Sequence, residues 1–272
     1  MIKVFKTDLF RLLRTKAFYV YPIFLVLIQV LNMSLSVAFV STDGTETVTE
    51  IASGRAIELG PVELAKNIGD GLLMLFLGLA LVIFITNESR HGFLKNAAGC
   101  ATDKRFLPIS KILTGIVIMF VYIVESIIIT AIFSGIEALI SGKALEYKPV
   151  PEGDLGKFTA YVLLCILVHI AVIAILVLMH EITHNRALGL VAIFMYSATL
   201  IDKLIVGFLN LVSTKITWLA DIHFRKYLMM FNIEGGYLSE EYYPMTLLVL
   251  CLIYGTAATF LAIQASVRRD VK

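Results

Sequence analysis

Residues 180 to 184 read His-Glu-Ile-Thr-His, the spelling with which zinc proteases hold a metal. On a helix, His180 and His184 fall one turn apart on one face and can share a zinc, while Glu181 activates its bound water. A working site needs a third protein ligand, usually Glu, His or Asp further along, and an open position for water. Downstream candidates are Asp202, Asp221, His223, Glu234, Glu240 and Glu241; upstream, Glu88 and His91 qualify if two loops meet. Which of these can reach the histidines depends on the elements that carry them.

Those elements are membrane helices. Hydrophobic residues make up 58% of the 272-residue chain and charged residues 16%, where a soluble protein carries charge on about a quarter of its residues. Mean hydropathy is +0.86. Apolar runs long enough to cross a bilayer, roughly 20 residues each, occupy about 17–40, 68–86, 112–140, 158–179, 187–207 and 244–265. The second has a short clean run, Gly71 to Thr86, and Asp202 with Lys203 interrupts the fifth. The expected fold is an all-α, six-span integral membrane protein forming a single domain over 1–272. Neither a repeat nor a low-complexity linker divides the chain. Cys165 and Cys251 fall in spans and Cys100 in a loop, so no loop-to-loop disulfide framework is expected.

Lys and Arg in short loops mark the cytoplasmic side. Lys3, Lys6, Arg11, Arg14 and Lys16 precede the first span, Arg90, Lys95, Lys104, Arg105 and Lys111 separate the second from the third, and Arg268, Arg269 and Lys272 follow the sixth. Both termini are therefore expected in the cytoplasm, in a multi-pass protein of the plasma membrane. The sorted charges explain the basic clusters without nucleic acid, which is not expected as a partner.

The first sixteen residues lack the pattern of a cleavable signal and are expected to remain. Ile2, Phe5, Leu9, Leu12 and Leu13 recur at helical spacing with basic residues mostly opposite, the pattern of an elbow helix lying in the inner interface. An ordinary basic flank is the alternative. PVELAKNIGD, before the second span, is expected to begin a helix with Pro61 in its first turn. Between 202 and 243 the apolar stretches are short and broken by Gly207, Asn210, Ser213 and Thr214, and Trp218 and three tyrosines have interfacial character. Re-entrant or surface-lying helices are expected there, before the last span.

Two ionisable residues fall near mid-membrane, where a bare carboxylate costs at least ~2.5–3.5 kcal/mol. Glu125 lies roughly 20 Å from the inner edge of the third span and His169 roughly 16 Å from that of the fourth. Those depths are compatible with a pair inside the bundle, either bracing the helices or lining a path.

With the spans placed, His180 to Arg186 becomes a short inner turn between the fourth and fifth helices. The downstream acids fall near the outer face: Asp202, eighteen residues beyond His184, is about 27 Å away along a helix, whereas a metal–ligand bond is about 2 Å. The alternative to a zinc site is a polar turn in which His180, His184, Asn185 and Arg186 cap helix ends or touch a cytoplasmic partner.

The loop NESRHGFLKNAAGCATDKRFLPISK, residues 87–111, carries a family likeness. It resembles the loop after the second span in the permeases of type-2 ATP-binding-cassette (ABC-2) exporters, particularly the lantibiotic-immunity and bacitracin-resistance group. That loop runs Glu, three residues, Gly, Thr or similar, an aliphatic, Lys and Asn, then Ser-Lys before the third span. Glu88, Gly92, Leu94, Lys95, Asn96, Ser110 and Lys111 match, and Phe93 stands where Thr is usual. The resemblance extends to the elbow helix, the six spans and the basic tail. It implies a transport subunit that expels an amphipathic or antimicrobial peptide, or a lipid-linked compound, and that is not itself an enzyme. ATP and Mg would bind a separate nucleotide-binding subunit, consistent with a sequence that has no GxxxxGK[ST] phosphate loop. By the same resemblance a coupling helix over about 88–105 would dock on that ATPase through Glu88, Arg90, Gly92, Leu94, Lys95, Asn96 and Arg105. His180, Glu181, His184 and Arg186 would form a second, smaller contact. A second permease, identical or related, and membrane lipid are the other implied partners, and no cofactor or metal is expected on this chain. The alternatives are an intramembrane zinc protease using HEITH and a non-catalytic membrane scaffold or sensor subunit.

Overall fold

The computed structural model describes residues 2–42, 57–90, 103–142, 144–213, 224–234, 236–239 and 242–268. In chain order the elements are α1 (Ile2–Leu13), a 3-10 turn (Lys16–Tyr19), α2 (Val20–Thr42), β1 (Ile57–Leu59), α3 (Pro61–Gly69), α4 (Gly71–Arg90), α5 (Phe106–Ser141), β2 (Leu145–Tyr147), α6 (Leu155–Thr183), α7 (Arg186–Ser197), α8 (Leu200–Ser213), α9 (Met229–Glu234) and α10 (Pro244–Arg268). Helices α5, α6 and α10 are unbroken and long and apolar enough to cross a membrane. Three bent pairs bring the number of possible crossings to six: α1 with α2 at 60°, α3 with α4 at 47°, and α7 with α8 at 70°. The chain is thus an all-helical, multi-span membrane protein, with one short pair of parallel strands among the described residues.

Each predicted span has its helix, but the fifth is not one continuous rod. Thr199 takes a left-handed φ of 54°, and the amide of Ala198 closes back on Phe194 while Thr199 bonds Tyr196. The Thr199 carbonyl then accepts from the Lys203 amide and starts α8. α7 alone, with 12 residues, rises about 18 Å, short of a hydrocarbon core of about 30 Å. The bend turns Lys203 outward to an exposed position beyond the apolar run.

The core lies where α4, α5 and α6 pack together, flanked by α2, α7 and α10. Close approach requires small residues. A Cβ on Gly78 of α4 would overlap Ile193 of α7, and one on Gly115 of α5 would lie 2.7 Å from Ile173 of α6. Tyr122 of α5 donates to the Phe18 carbonyl at 2.9 Å and its ring lies 4.5 Å from that of Tyr21, fixing the elbow and α2 on α5.

The first helix is amphipathic, as its spacing predicts, but the face it buries is different. Val4, Asp8 and Leu12 point into the bundle, whereas Ile2, Phe10 and Leu13 are exposed. The buried stripe is centred on an acid because a polar partner waits beneath it. Pro61 opens α3 at its first position, as expected. The strand pair was not legible: β1 and β2 run parallel with Ile57 opposite Leu145 and Leu59 opposite Tyr147. Lys148 reaches Glu58 at 2.8 Å, and that contact holds its ammonium above the usual lysine range.

Candidate functional site

One end of the bundle carries a buried polar clamp built from two adjacent residues at the start of α5. Ser110 donates to Asp8 Oδ2 of α1 at 2.5 Å, and Lys111 Nζ meets Glu181 Oε1 of α6 at 2.5 Å. Both side chains of the second pair are only 2% exposed. Arg11 adds a salt bridge to Asp8 Oδ1 at 3.1 Å and sits over the Phe84 ring of α4 at 5.1 Å. Nearby, Ser266 of α10 donates to the Lys104 carbonyl at 3.2 Å. Polar contacts thus join α1, α5 and α6 at this end, with α10 tied to the segment before α5 and Arg11 set over a ring of α4, among apolar surroundings where such contacts hold geometry firmly.

HEITH occupies the last turn of α6 and its cap. His180 and Glu181 are buried, and His184 is exposed with a left-handed φ of 52°. Its amide closes on the His180 carbonyl at 2.9 Å, ending the helix. Asn185 caps the next helix by accepting from the Ala187 amide at 2.9 Å. The turn does what the capping alternative requires. The two imidazole rings stand edge to face, 5.8 Å between centroids, and the glutamate that a protease would use as general base is engaged by an ammonium. Among the described residues no group of three or more His, Cys, Asp or Glu side chains is placed to hold a metal ion. Arg186 is half-buried, with its Nε lacking a hydrogen-bond partner among the described residues.

The remaining predicted residues are placed as follows. Glu88 and Arg90 close the backbone of α4, and Arg105 is the exposed residue before α5, its Nε 3.7 Å from Asp103. Gly92, Leu94, Lys95 and Asn96 lie outside the described residues. Glu125 and His169 are not hydrogen-bonded to each other. His169 Nδ1 bonds the Cys165 carbonyl of its own helix at 2.7 Å, and neither its Nε2 nor Glu125 Oε2 has a partner among the described residues. Glu125 lies one turn from Tyr122, on the side of α5 that faces α2, which is why equal depth does not bring them together.

At the opposite end, two helix breaks face each other across a cavity of about 620 Å³. The α3–α4 break at Gly69–Gly71 meets the α7–α8 break at Ser197–Thr199, and a Cβ on Gly71 would overlap the Ser197 carbonyl. Tyr161, Phe194, Met230 and Ile233 give the cavity an apolar wall, with Lys66, Asp70 and Lys203 also lining it. Tyr161, near the start of α6, donates to the Ile233 carbonyl at 3.0 Å. About 30 Å of helix separates it from Glu181. The short helix Met229–Glu234 is thus held at the far end of α6 from HEITH.

In the sequence Ser110 stands out only as a family letter, Lys111 as a family letter and one of the basic residues between the second and third spans, and Asp8 not at all. The signal was available: Lys111 and Glu181 are opposite charges at the facing ends of consecutive antiparallel helices. Comparisons with protein-family models, with curated proteins and with solved structures give no match.

Proposed function

We propose that this chain is the membrane-spanning permease subunit of an ATP-driven exporter of the ABC-2 type, moving an amphipathic peptide or a lipid-linked compound outward. A separate nucleotide-binding subunit hydrolyses ATP with Mg and grips residues 88–105. A second permease, identical or related, completes the pathway, and both termini lie in the cytoplasm.

The observation that carries this reading is the clamp. The loop that resembles the family's coupling segment ends at Ser110 and Lys111, whose side chains bind α1 and α6. A push on that loop is delivered to several helices as one body rather than lost in a flexible hinge, which is what rigid-body alternating motion requires. The cavity between the two helix breaks lies at the other end of the same helices and offers apolar and charged walls to an amphipathic molecule leaving the membrane.

The test is cross-linking from cysteines placed at residues 88–105 in native membranes, followed by purification and an ATPase assay. A covalent partner that binds and hydrolyses ATP is the expected result. Intact, correctly inserted protein that never cross-links to an ATPase would overturn the proposal and favour the scaffold.

A further inference from the structure

A groove lies on the seam of α6 and α10, and a second hollow adjoins it between α10 and Arg105. The groove, about 410 Å³, is walled by Leu167, Ile170 and Ala174 on one side and Gly255, Thr259 and Ile263 on the other. The adjoining hollow, about 360 Å³, shares Phe260 and Ile263 and ends between Arg105, Gln264 and Arg268. The two adjoin at Phe260 and Ile263, the first apolar and the second, lined by α10 and Arg105, cationic.

Three features make the groove suited to a hydrocarbon chain. Gly255 faces Ala171, where a Cβ would sit 3.7 Å from the Ala171 Cα, so the helices leave a trough between longer flanking side chains. The hydroxyls of Thr256 and Thr259 are turned back onto the carbonyls of Leu252 and Gly255, at 2.6 and 2.7 Å. Bonded within their own helix, they present methyl groups to the groove. From Leu252 to Gln264 the helix rises about 18 Å, close to one leaflet of a hydrocarbon core about 30 Å thick.

The adjoining hollow is equally defined. Ser266 bonds the Lys104 carbonyl at 3.2 Å and so holds Arg268 and Arg105 at one level. Arg268 has no ion-pair partner among the described residues, and Arg105 is 67% exposed with only a 3.7 Å contact to Asp103. A second copy of the chain, turned about an axis along the membrane normal, would bring four arginines to one level, which disfavours self-association through this face.

We propose that the α6–α10 groove is a binding site for an anionic phospholipid, one acyl chain lying along Gly255 and Thr259 and the headgroup phosphate seated between Arg105 and Arg268. Guanidinium groups suit phosphate oxygens because their donors form a planar fork. The site stands whether or not the chain works with an ATPase.

Native mass spectrometry of the purified chain tests it, with phosphatidylglycerol and phosphatidylcholine of identical acyl chains as probes. The wild type is expected to retain phosphatidylglycerol preferentially, and the preference should fall about fivefold for each arginine replaced in Arg105→Gln and Arg268→Gln. Gly255→Leu, which fills the trough, should reduce retention of both lipids. An unchanged preference in the arginine double variant would overturn the proposal, as would a dimer that Gly255→Leu dissociates. Should Gly255→Leu fail to fold, the surface arginine variants decide alone.

Discussion

Lys111 and Glu181 meet at 2.5 Å, each with 2% of its side chain exposed, and tie the start of α5 to the end of α6. Removing one member of a buried pair leaves an uncompensated charge and typically costs about 3–5 kcal/mol, whereas replacing both with apolar residues is often close to neutral. Lys111→Met and Glu181→Gln are each expected to lower the unfolding temperature strongly, and Lys111→Met with Glu181→Leu to recover most of the loss. Thermal unfolding in detergent measures this. Losses that simply add in the double variant would show that the pair is not coupled.

The same pair bears on HEITH, because it engages the glutamate of that motif. With Glu181 held by an ammonium, the carboxylate is not poised to activate a metal-bound water, and His180 and His184 serve the helix end. Purified protein is expected to carry far less than one zinc per chain, with the content unchanged in His180→Ala. One zinc per chain, lost in that variant, would instead establish the metalloprotease.

Asp8 is the only acid on α1 and is buried between Ser110 and Arg11. Asp8→Ala leaves the Ser110 hydroxyl and the Arg11 guanidinium without this acceptor, a loss of about 1–3 kcal/mol. Because the cost falls on the docking of α1, amide hydrogen exchange should rise over residues 2–13 more than over α6. Uniform exchange across the bundle would place the effect elsewhere.

Close packing of α4 on α7 rests on Gly78. Its missing side chain leaves room for Ile193, so Gly78→Val is expected to cost about 1–3 kcal/mol through overpacking, and Ile193→Ala to restore part of it. Melting temperatures of the single and double variants check this, and no rescue would mean that the strain is relieved at another contact.

Hydropathy made the helices legible because a membrane span must satisfy its backbone internally and face lipid with apolar side chains. Periodicity likewise exposed α1, and Pro61 the first turn of α3. What it could not show was pairing. Asp8 carries no signal in the spacing of α1 until Ser110 is seen beneath it, and Glu181 reads as a zinc-site base until Lys111 is brought from seventy residues away. The same limit misled the pairing of Glu125 with His169: depth along a helix follows from residue count, but the direction each side chain faces depends on how the helices rotate against their neighbours. The break at Thr199 was signalled only by the charges of Asp202 and Lys203, which say that a helix is interrupted but not at which residue it bends.

If residues 88–105 grip an ATPase, their charges matter more to coupling than to folding. Glu88→Lys with Lys95→Glu leaves in place the residues of the clamp, Ser110 with Asp8 and Lys111 with Glu181. Like charges brought face to face at a docking surface cost several kcal/mol, so substrate-stimulated ATPase activity of the assembled complex is expected to fall about tenfold or more. Gly92→Pro should act in the same direction by stiffening the loop. Membrane insertion and melting temperature are expected to match the wild type, which separates uncoupling from misfolding. Full substrate-stimulated ATPase activity in both variants would mean that this loop is not the handle through which the ATPase moves the bundle, and the second contact at His184 and Arg186 would then be the segment to substitute.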